Sequence, residues 1–320
     1  MEMIAFIIAA FFAVNMGAPS FAGSFATAYG SKVIGRKKAG FLFLVCALAG
    51  ALWLGGAVSQ TLSKGIIPAE LLTRQSTLIV LCSATLSLFV ANIMHIPQST
   101  SLSTLASIWG VGLFHHQINI GKISYLLVCW VVSTATSFMV IYAITRYIYP
   151  PKRRNFWIYE KVVQHRERLE KIVILTSCYK AFAQGTNNVA NAVGPLFGAG
   201  LVGLAEGLLI MGLFFGAGAF GFSGPLRTSS EKIVPLGLLT ATIINLVSGT
   251  ITIIASKMGV PFPTVIVYTV SIFAIGSIKD GVDMMLENPV TRKTLFTWII
   301  NPVITFGVSF LLANIFLVRI

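Results

Sequence analysis

Runs of apolar residues too long for a soluble core decide what this chain can fold into. Residues 41–58, 78–94, 123–148, 233–255 and 295–318 are predominantly apolar, and crossing a hydrocarbon core takes about 20 residues of helix. About ten such segments can be counted along the chain, several of them interrupted by glycine or proline. Only 10% of the 320 residues are charged and 56% are hydrophobic, whereas a soluble domain carries about 25% charged residues. That is too little charge to wet a globule of this size, so the expected fold class is an all-α polytopic membrane protein. The first apolar run is preceded by Glu2 and by no basic segment. It reads as a first membrane helix and not as a secretory signal.

The formal charge is +13, and its densest basic stretch is residues 150–171, where Lys152, Arg153, Arg154, Lys161, Arg166, Arg168 and Lys171 outnumber Glu160, Glu167 and Glu170. Cytoplasmic loops of membrane proteins collect lysine and arginine, so this stretch is expected to be an amphipathic cytoplasmic connector. No nucleic-acid-binding module surrounds it, and a nucleic-acid partner is not expected. The connector divides the chain into a first membrane repeat, 1–149, and a second, 172–320. Cys46, Cys82, Cys129 and Cys178 lie apart in apolar runs without metal or redox spacing. They read as small core residues; no metal site and no cofactor are expected.

Similar punctuation recurs on the two sides of the connector. The first half contains Asn15-Met16-Gly17-Ala18-Pro19-Ser20-Phe21-Ala22-Gly23-Ser24, and the second contains Gly185-Thr186-Asn187-Asn188-Val189-Ala190-Asn191-Ala192. Aligned at the leading glycine, Gly17 matches Gly185, Ala22 matches Ala190 and Gly30 matches Gly198. A second pair follows in the same order. Ile96-Pro97-Gln98-Ser99-Thr100-Ser101 leads into a run containing Ser107, Ile108 and Gly112; Val260-Pro261-Phe262-Pro263-Thr264 leads into one with Ser271, Ile272 and Gly276 at the same spacing. Two matched pairs in one order point to internal duplication.

Interrupted segments at matching places in two halves point to a transporter's binding site. Backbone groups freed by a break are unsatisfied in lipid, so breaks survive only inside protein or beside a wet cavity. Breaks are expected at Gly17, Gly23, Gly185, Pro97, Pro261 and Pro263. Pro97 and Pro261 suit the first turn of a half-helix, whose free N–H groups and dipole favour an anion. Ser99, Thr100, Ser101, Ser103 and Thr104 add neutral hydroxyl donors. The candidate binding residues are Gly17, Ala18, Ser20, Ser24, Ser99, Thr100, Ser101, Gly185, Thr186, Asn187, Asn188, Asn191 and Thr264, with Asn15 beside them.

The second-half run GTNNVANAVGPL resembles the GANDVANA signature of the inorganic phosphate transporter family. IPQSTS resembles that family's PVSTTH element, and PLRTSSEKIVPL at residues 225–236 resembles the loop after its second signature. The resemblance covers nearly the whole chain. It implies two inverted-topology repeats, broken or re-entrant helices meeting near the midplane, cation-coupled uptake of an oxyanion, and a homodimer in the cell membrane. The departures from the family pattern concern the aspartates. Pro19-Ser20 and Asn187-Asn188 stand where the family has Asn-Asp, and the chain's two aspartates, Asp280 and Asp283, lie elsewhere. Such a site loses hard ligands for sodium and acceptors for a proton on bound phosphate. Sulfate carries no proton at neutral pH and suits a site of donors, and a buried carboxylate would repel it where screening is weak. The pattern therefore favours sulfate and looks like the sulfate-permease branch of the family. Phosphate stays open because asparagine also accepts hydrogen bonds; thiosulfate and molybdate are related candidates.

Two residues qualify for coupling or charge compensation. Lys180 lies in the apolar approach to the second signature, where an ammonium is expensive and often functional; the alternative is a lysine snorkelling from a helix end. Glu206 is the acid best placed to carry a proton for symport; the alternative is a loop glutamate between glycines. His95 next to Pro97 is titratable or structural, and the adjacent His115 and His116 point differently on a helix. An enzyme is not expected, because no metal-protease or nucleophile-elbow motif and no paired carboxylates occur in the apolar regions. A passive anion channel lined by the same donors is the rival of another class, distinguished by its inability to concentrate substrate. A scaffold subunit would have no use for the paired breaks.

Overall fold

The computed structural model describes residues 1–94, 98–221 and 237–317. His95, Pro97 and the 225–236 stretch lie outside the described residues. Thirteen described α-helices follow one another: α1 Glu2–Gly30, α2 Arg36–Lys64, α3 Arg74–Ile93, α4 Thr100–Phe114, α5 Ile120–Ile148, α6 Phe156–Gln164, α7 Arg166–Asn188, α8 Ala190–Gly198, α9 Leu204–Gly221, α10 Leu238–Lys257, α11 Thr264–Lys279, α12 Val282–Glu287 and α13 Pro289–Phe316.

Among the described residues seven helices are long and apolar enough to cross a membrane: α1, α2, α3, α5, α9, α10 and most of α13. Three others complete the bundle. With 15 and 16 residues, α4 and α11 reach only about 23 Å at 1.5 Å per residue. The 23-residue α7 is long enough, but its first turns carry the basic connector and its last turns the Asn-rich run. The connector and α7 are thus continuous from Arg166, and only α6 stands apart as an amphipathic piece.

Helix pairing is symmetric between the halves. Helix α2 packs on α7 as α9 packs on α1; α10 packs on α7 as α3 does on α1; α13 covers α4 as α5 covers α11. The symmetry reaches single hydrogen bonds, with Ser309 Oγ donating to the Ser107 carbonyl at 2.7 Å and Ser137 Oγ sharing a proton with Ser271 Oγ at 2.9 Å.

The halves are inverted. Helix α5, with 29 residues, extends about 43 Å and defines two ends of the bundle. At its Ile120 end Asn119 N donates to Ile66 O at 3.0 Å, and Gly112 of α4 packs on Ile67 and Ile118. At its Ile148 end one cavity is lined by Ile148, Gly237, Leu238 and Lys279. The α3–α4 hairpin therefore enters from one end and α10–α11 from the other. Their tips meet inside, where Ser101 Oγ donates to Phe262 O at 3.0 Å.

Three expected breaks, at Gly17, Gly23 and Gly185, are absent. Helix α1 runs without interruption through Gly17, Pro19 and Gly23, and α7 runs through Gly185, yielding only at Val189, which itself stays right-handed helical (φ −60°, ψ −34°). The small residues serve close packing. A Cβ on Gly17 would land on the Phe215 carbonyl and one on Gly185 on the Ala47 carbonyl, while Gly218 and Gly50 face Val14 and Phe182 in return. Such small-residue interfaces let membrane helices approach backbone to backbone. Pro19 cannot donate to Asn15 O; that freed carbonyl accepts from Asn92 Nδ2 at 2.9 Å, which keeps the helix whole in an apolar setting. The prolines of the second hairpin also differ from expectation. Pro261 and Pro263 lie in the buried extended segment ahead of α11, with Pro263 as N-cap, because the helix begins only at Thr264. Cys46 of α2 and Cys178 of α7, distant in sequence, lie on packed helices and are both free thiols.

The glycine contacts predict that Gly185→Val overpacks the α2–α7 contact at a cost of about 1–3 kcal/mol or more, whereas Gly307→Ala, which meets nothing within 4 Å in the interior of α13, gains up to about 1 kcal/mol from the better helix former. Thermal unfolding of the two purified variants, followed by intrinsic fluorescence, distinguishes them.

Candidate functional site

Where the hairpin tips meet α1 and α7, a cluster of neutral polar side chains is buried. Asn188 Nδ2 donates to Ser20 Oγ at 3.0 Å and to Thr264 Oγ1 at 3.2 Å. Asn191 Nδ2 reaches Thr100 Oγ1 at 3.2 Å and Ser101 Oγ at 3.3 Å, while its Oδ1 is buried without a partner. Thr100 and Thr264 occupy matching places as the first residues of α4 and α11. The N–H groups of those first turns have no partner within their own helix, and the positive ends of both helix dipoles coincide with the asparagine pair. Ser24 Oγ lies 2.6 Å from Gln184 Oε1 and 3.0 Å from Ser20 O.

Asn187 has a different task. Its Nδ2 donates to Val260 O and Ser256 Oγ, both at 2.9 Å, and its Oδ1 accepts from Phe262 N at 2.7 Å. With its amide used on both sides, it clamps the extended segment that starts α11. Thr186 Oγ1 lies 2.8 Å from the same Ser256 hydroxyl and 2.7 Å from Ala183 O. Ser99 is the N-cap of α4, its hydroxyl accepting from Leu102 N at 3.4 Å. Asn15 caps nothing; its Nδ2 returns to Phe11 O within α1 at 2.8 Å, and its carbonyl takes the Asn92 amide.

Of the sequence candidates, Ser20, Ser24, Thr100, Ser101, Asn188, Asn191 and Thr264 are brought together, with Asn187 and Thr186 behind them. Gly17, Ala18 and Gly185 are given to helix–helix contacts, since the missing or minimal side chain is what admits the neighbouring backbone. Glu206 stands apart, exposed in the first turn of α9, where its charge complements the helix N-terminus. Residues not singled out beforehand include Gln184, Asn245, whose Nδ2 reaches Ser24 O and Ser177 Oγ at 3.3 Å each, and Gln98, bonded to Ser87 and Ser103. A polar amide inside an apolar helix, as in Ile243-Ile244-Asn245-Leu246, was the signal available for them.

Lys180 is fully buried, and its Nζ has no hydrogen-bond partner. It lies about 21 Å along α7 from Arg166 at 1.5 Å per residue, too deep to snorkel. Spacings of four place Lys180, Gln184 and Asn188 on one stripe of the helix. No aspartate or glutamate is buried among the described residues, nor do three His, Cys, Asp or Glu side chains gather there for a metal. The cluster thus offers amide and hydroxyl groups and two helix N-termini, and the Lys180 ammonium lies about two turns away along the same stripe of α7. That donor set stabilises a compact oxyanion without a carboxylate to repel it.

The model of the phosphate transporter family matches residues 16–309 of this chain. The sulfate permease CysP of Bacillus subtilis is 33% identical, over 99% of this chain and 88% of that protein. A protein of Thermococcus kodakarensis with a provisional phosphate-permease name is 24% identical over 99% and 98% of the two chains. A solved structure titled the sodium-dependent phosphate transporter superposes with a TM-score of 0.84 at 21% identity, covering 98% of both chains.

The clamp predicts that Asn187→Leu, which leaves Phe262 N–H and Val260 C=O without their partner, lowers stability by about 1–3 kcal/mol per orphaned group. Thermal melting of the purified variant against the native chain measures the loss; an unchanged melting temperature would show that the extended segment is held by other means.

Proposed function

The chain belongs to the phosphate transporter family and carries inorganic anions across a membrane, and on that premise we propose that its substrate is sulfate, taken up by proton-coupled symport. The observation that carries this reading is Lys180, buried and unpartnered on the stripe that ends at Asn188, in a site without a buried carboxylate among the described residues. A lone ammonium out of water is costly, and a dianion arriving beside it relieves part of that cost. The tethered charge takes the place of a bound cation, while the amides of Asn188 and Asn191 and the first turns of α4 and α11 supply donors. Sulfate offers acceptors alone and leaves no donor facing a donor. The similarity to a sulfate permease supports the same choice. Glu206 stands away from the cluster, so charge compensation rests on Lys180.

In this reading the repeats 1–149 and 172–320 rock against each other around the cluster. The connector 150–171 is cytoplasmic, and the protein works in the cell membrane as a homodimer. Phosphate is the second reading, favoured by Asn191 Oδ1, a buried acceptor without a partner and a ready recipient for the proton of a phosphate hydroxyl.

Uptake of labelled sulfate into proteoliposomes under an inward proton gradient tests the proposal, with unlabelled phosphate, thiosulfate and molybdate as competitors. Concentrative uptake that collapses with a protonophore and ignores phosphate is the expected result; accumulation of phosphate in place of sulfate would overturn it. Lys180→Met should weaken sulfate binding about ten- to hundredfold, the equivalent of one charged hydrogen bond of about 1.5–3 kcal/mol. The same variant should raise the melting temperature, because it removes an unpartnered buried charge. Asn188→Asp should depress sulfate uptake relative to phosphate; equal depression of both would sink the donor-only argument.

A further inference from the structure

A second feature lies at the Ile148 end of the bundle, far from the hairpin tips. Asn155 Nδ2 donates to the carbonyls of Tyr147, Ile148 and Pro150 at 3.0, 2.9 and 3.0 Å, and Tyr159 OH donates to Ile148 O at 2.7 Å. These bonds satisfy carbonyls that the end of α5 leaves open, and they hold α6 at a set angle to the bundle. A cavity of about 510 Å³ remains between α6 and the ends of α5, α7, α10 and α11. Volumes of about 300–1,000 Å³ are typical of small-ligand sites. Its floor is apolar, with Ile148, Ile158, Val162 and Ile243, while Arg166 and Lys279 line it as cations.

The surroundings identify the depth of this cavity in a bilayer. Phe156 and Trp157 of α6 are 58% and 50% exposed, and aromatic residues of that kind sit at the headgroup level. Lys161 lies over the Trp157 ring at 5.2 Å, Arg154 over the Tyr147 ring at 5.7 Å and Lys279 over the Tyr149 ring at 6.0 Å. A short amphipathic helix of this kind, with exposed aromatics and Lys161 as its one base next to Glu160, lies in the interface plane. Of the connector acids, Glu170 takes one edge of the Arg166 guanidinium at 3.0 Å, leaving the rest of that five-donor fork available. Glu160 and Glu167 do not offset Lys152, Arg153, Arg154, Lys161, Arg168 and Lys171.

We propose that this cavity binds one anionic phospholipid, with an acyl chain on the Ile148–Ile243 floor and the phosphate over Arg166 and Lys279. A soluble anion would leave the apolar floor empty, and a zwitterionic lipid would gain little from the two cations. A bound lipid joins α6 to the start of α7, the helix that bears Lys180 about four turns further on.

Native mass spectrometry of the full chain, purified with equimolar phosphatidylglycerol and phosphatidylcholine, tests this directly. Selective retention of one phosphatidylglycerol is expected. Arg166→Gln and Lys279→Gln should each reduce it about fivefold, the effect of one basic residue at a membrane surface. Val162→Trp, which puts an indole into the apolar floor of the cavity, should sharply lower retention while both cations remain. Arg166 is 71% exposed, so its variant keeps the readout available even if Val162→Trp does not fold. Equal retention of the two lipids, or retention unchanged in the cation variants, overturns the proposal. Displacement by millimolar inorganic phosphate would also overturn it, by showing that the headgroup anion binds without the chain.

Discussion

Residues 260–263 run extended and buried between two helices, and everything at the centre of this protein depends on their peptide groups being satisfied away from water. Asn187 supplies the bonds, one to a carbonyl and one from an N–H, with Ser256 held alongside. Trp130 Nε1 closes on the Pro261 carbonyl at 2.8 Å from the outer helix α5. With that segment satisfied, α11 can begin in mid-protein at Thr264 and present its N-terminus to Asn188. An unsatisfied peptide group in such a place costs several kcal/mol, enough to undo the geometry of a site made from weak, neutral contacts.

Symmetry supplies the frame and asymmetry the chemistry. The alignment that matches Gly17 with Gly185 sets Ser20 opposite Asn188, and those two side chains hydrogen-bond to each other. The same alignment sets Phe12 opposite Lys180. Phe12 is buried in the apolar core, so a duplicated scaffold contains one ammonium and not two. In the proposed function that single fixed charge gives the site a sign, which two-fold repetition alone would not do.

Much of this was legible in the residues. Apolar run lengths announce the membrane helices, and the proline motif at 260–264 marks the tip of the α10–α11 hairpin, because a chain reversal inside hydrocarbon needs rare residues in a row. The polar cluster follows from the asparagines of the second half. What escaped was the role of each small residue. Gly17 and Gly185 read as breaks, since glycine weakens an isolated helix; only the neighbouring carbonyls of Phe215 and Ala47 reveal them as contact surfaces. Asn187 and Asn188 are adjacent and alike in sequence, yet one grips backbone and the other faces the cluster. That division is set by tertiary direction, which a local pattern does not encode. Gln184 and Asn245 joined the cluster for the same reason.

The reciprocal glycine contacts also bear on how such a protein could have arisen. Gly17 of the first half meets a carbonyl of the second, Gly185 of the second meets a carbonyl of the first, and the first hairpin tip rests on the backbone of the second. A half-length chain would leave every one of these faces without a counterpart. An ancestor encoding one repeat would have been complete only as an antiparallel pair, the same sequence inserted into the membrane in both orientations. Fusion through a basic segment such as 150–171 then fixes by covalent linkage what had depended on two copies landing opposite ways up.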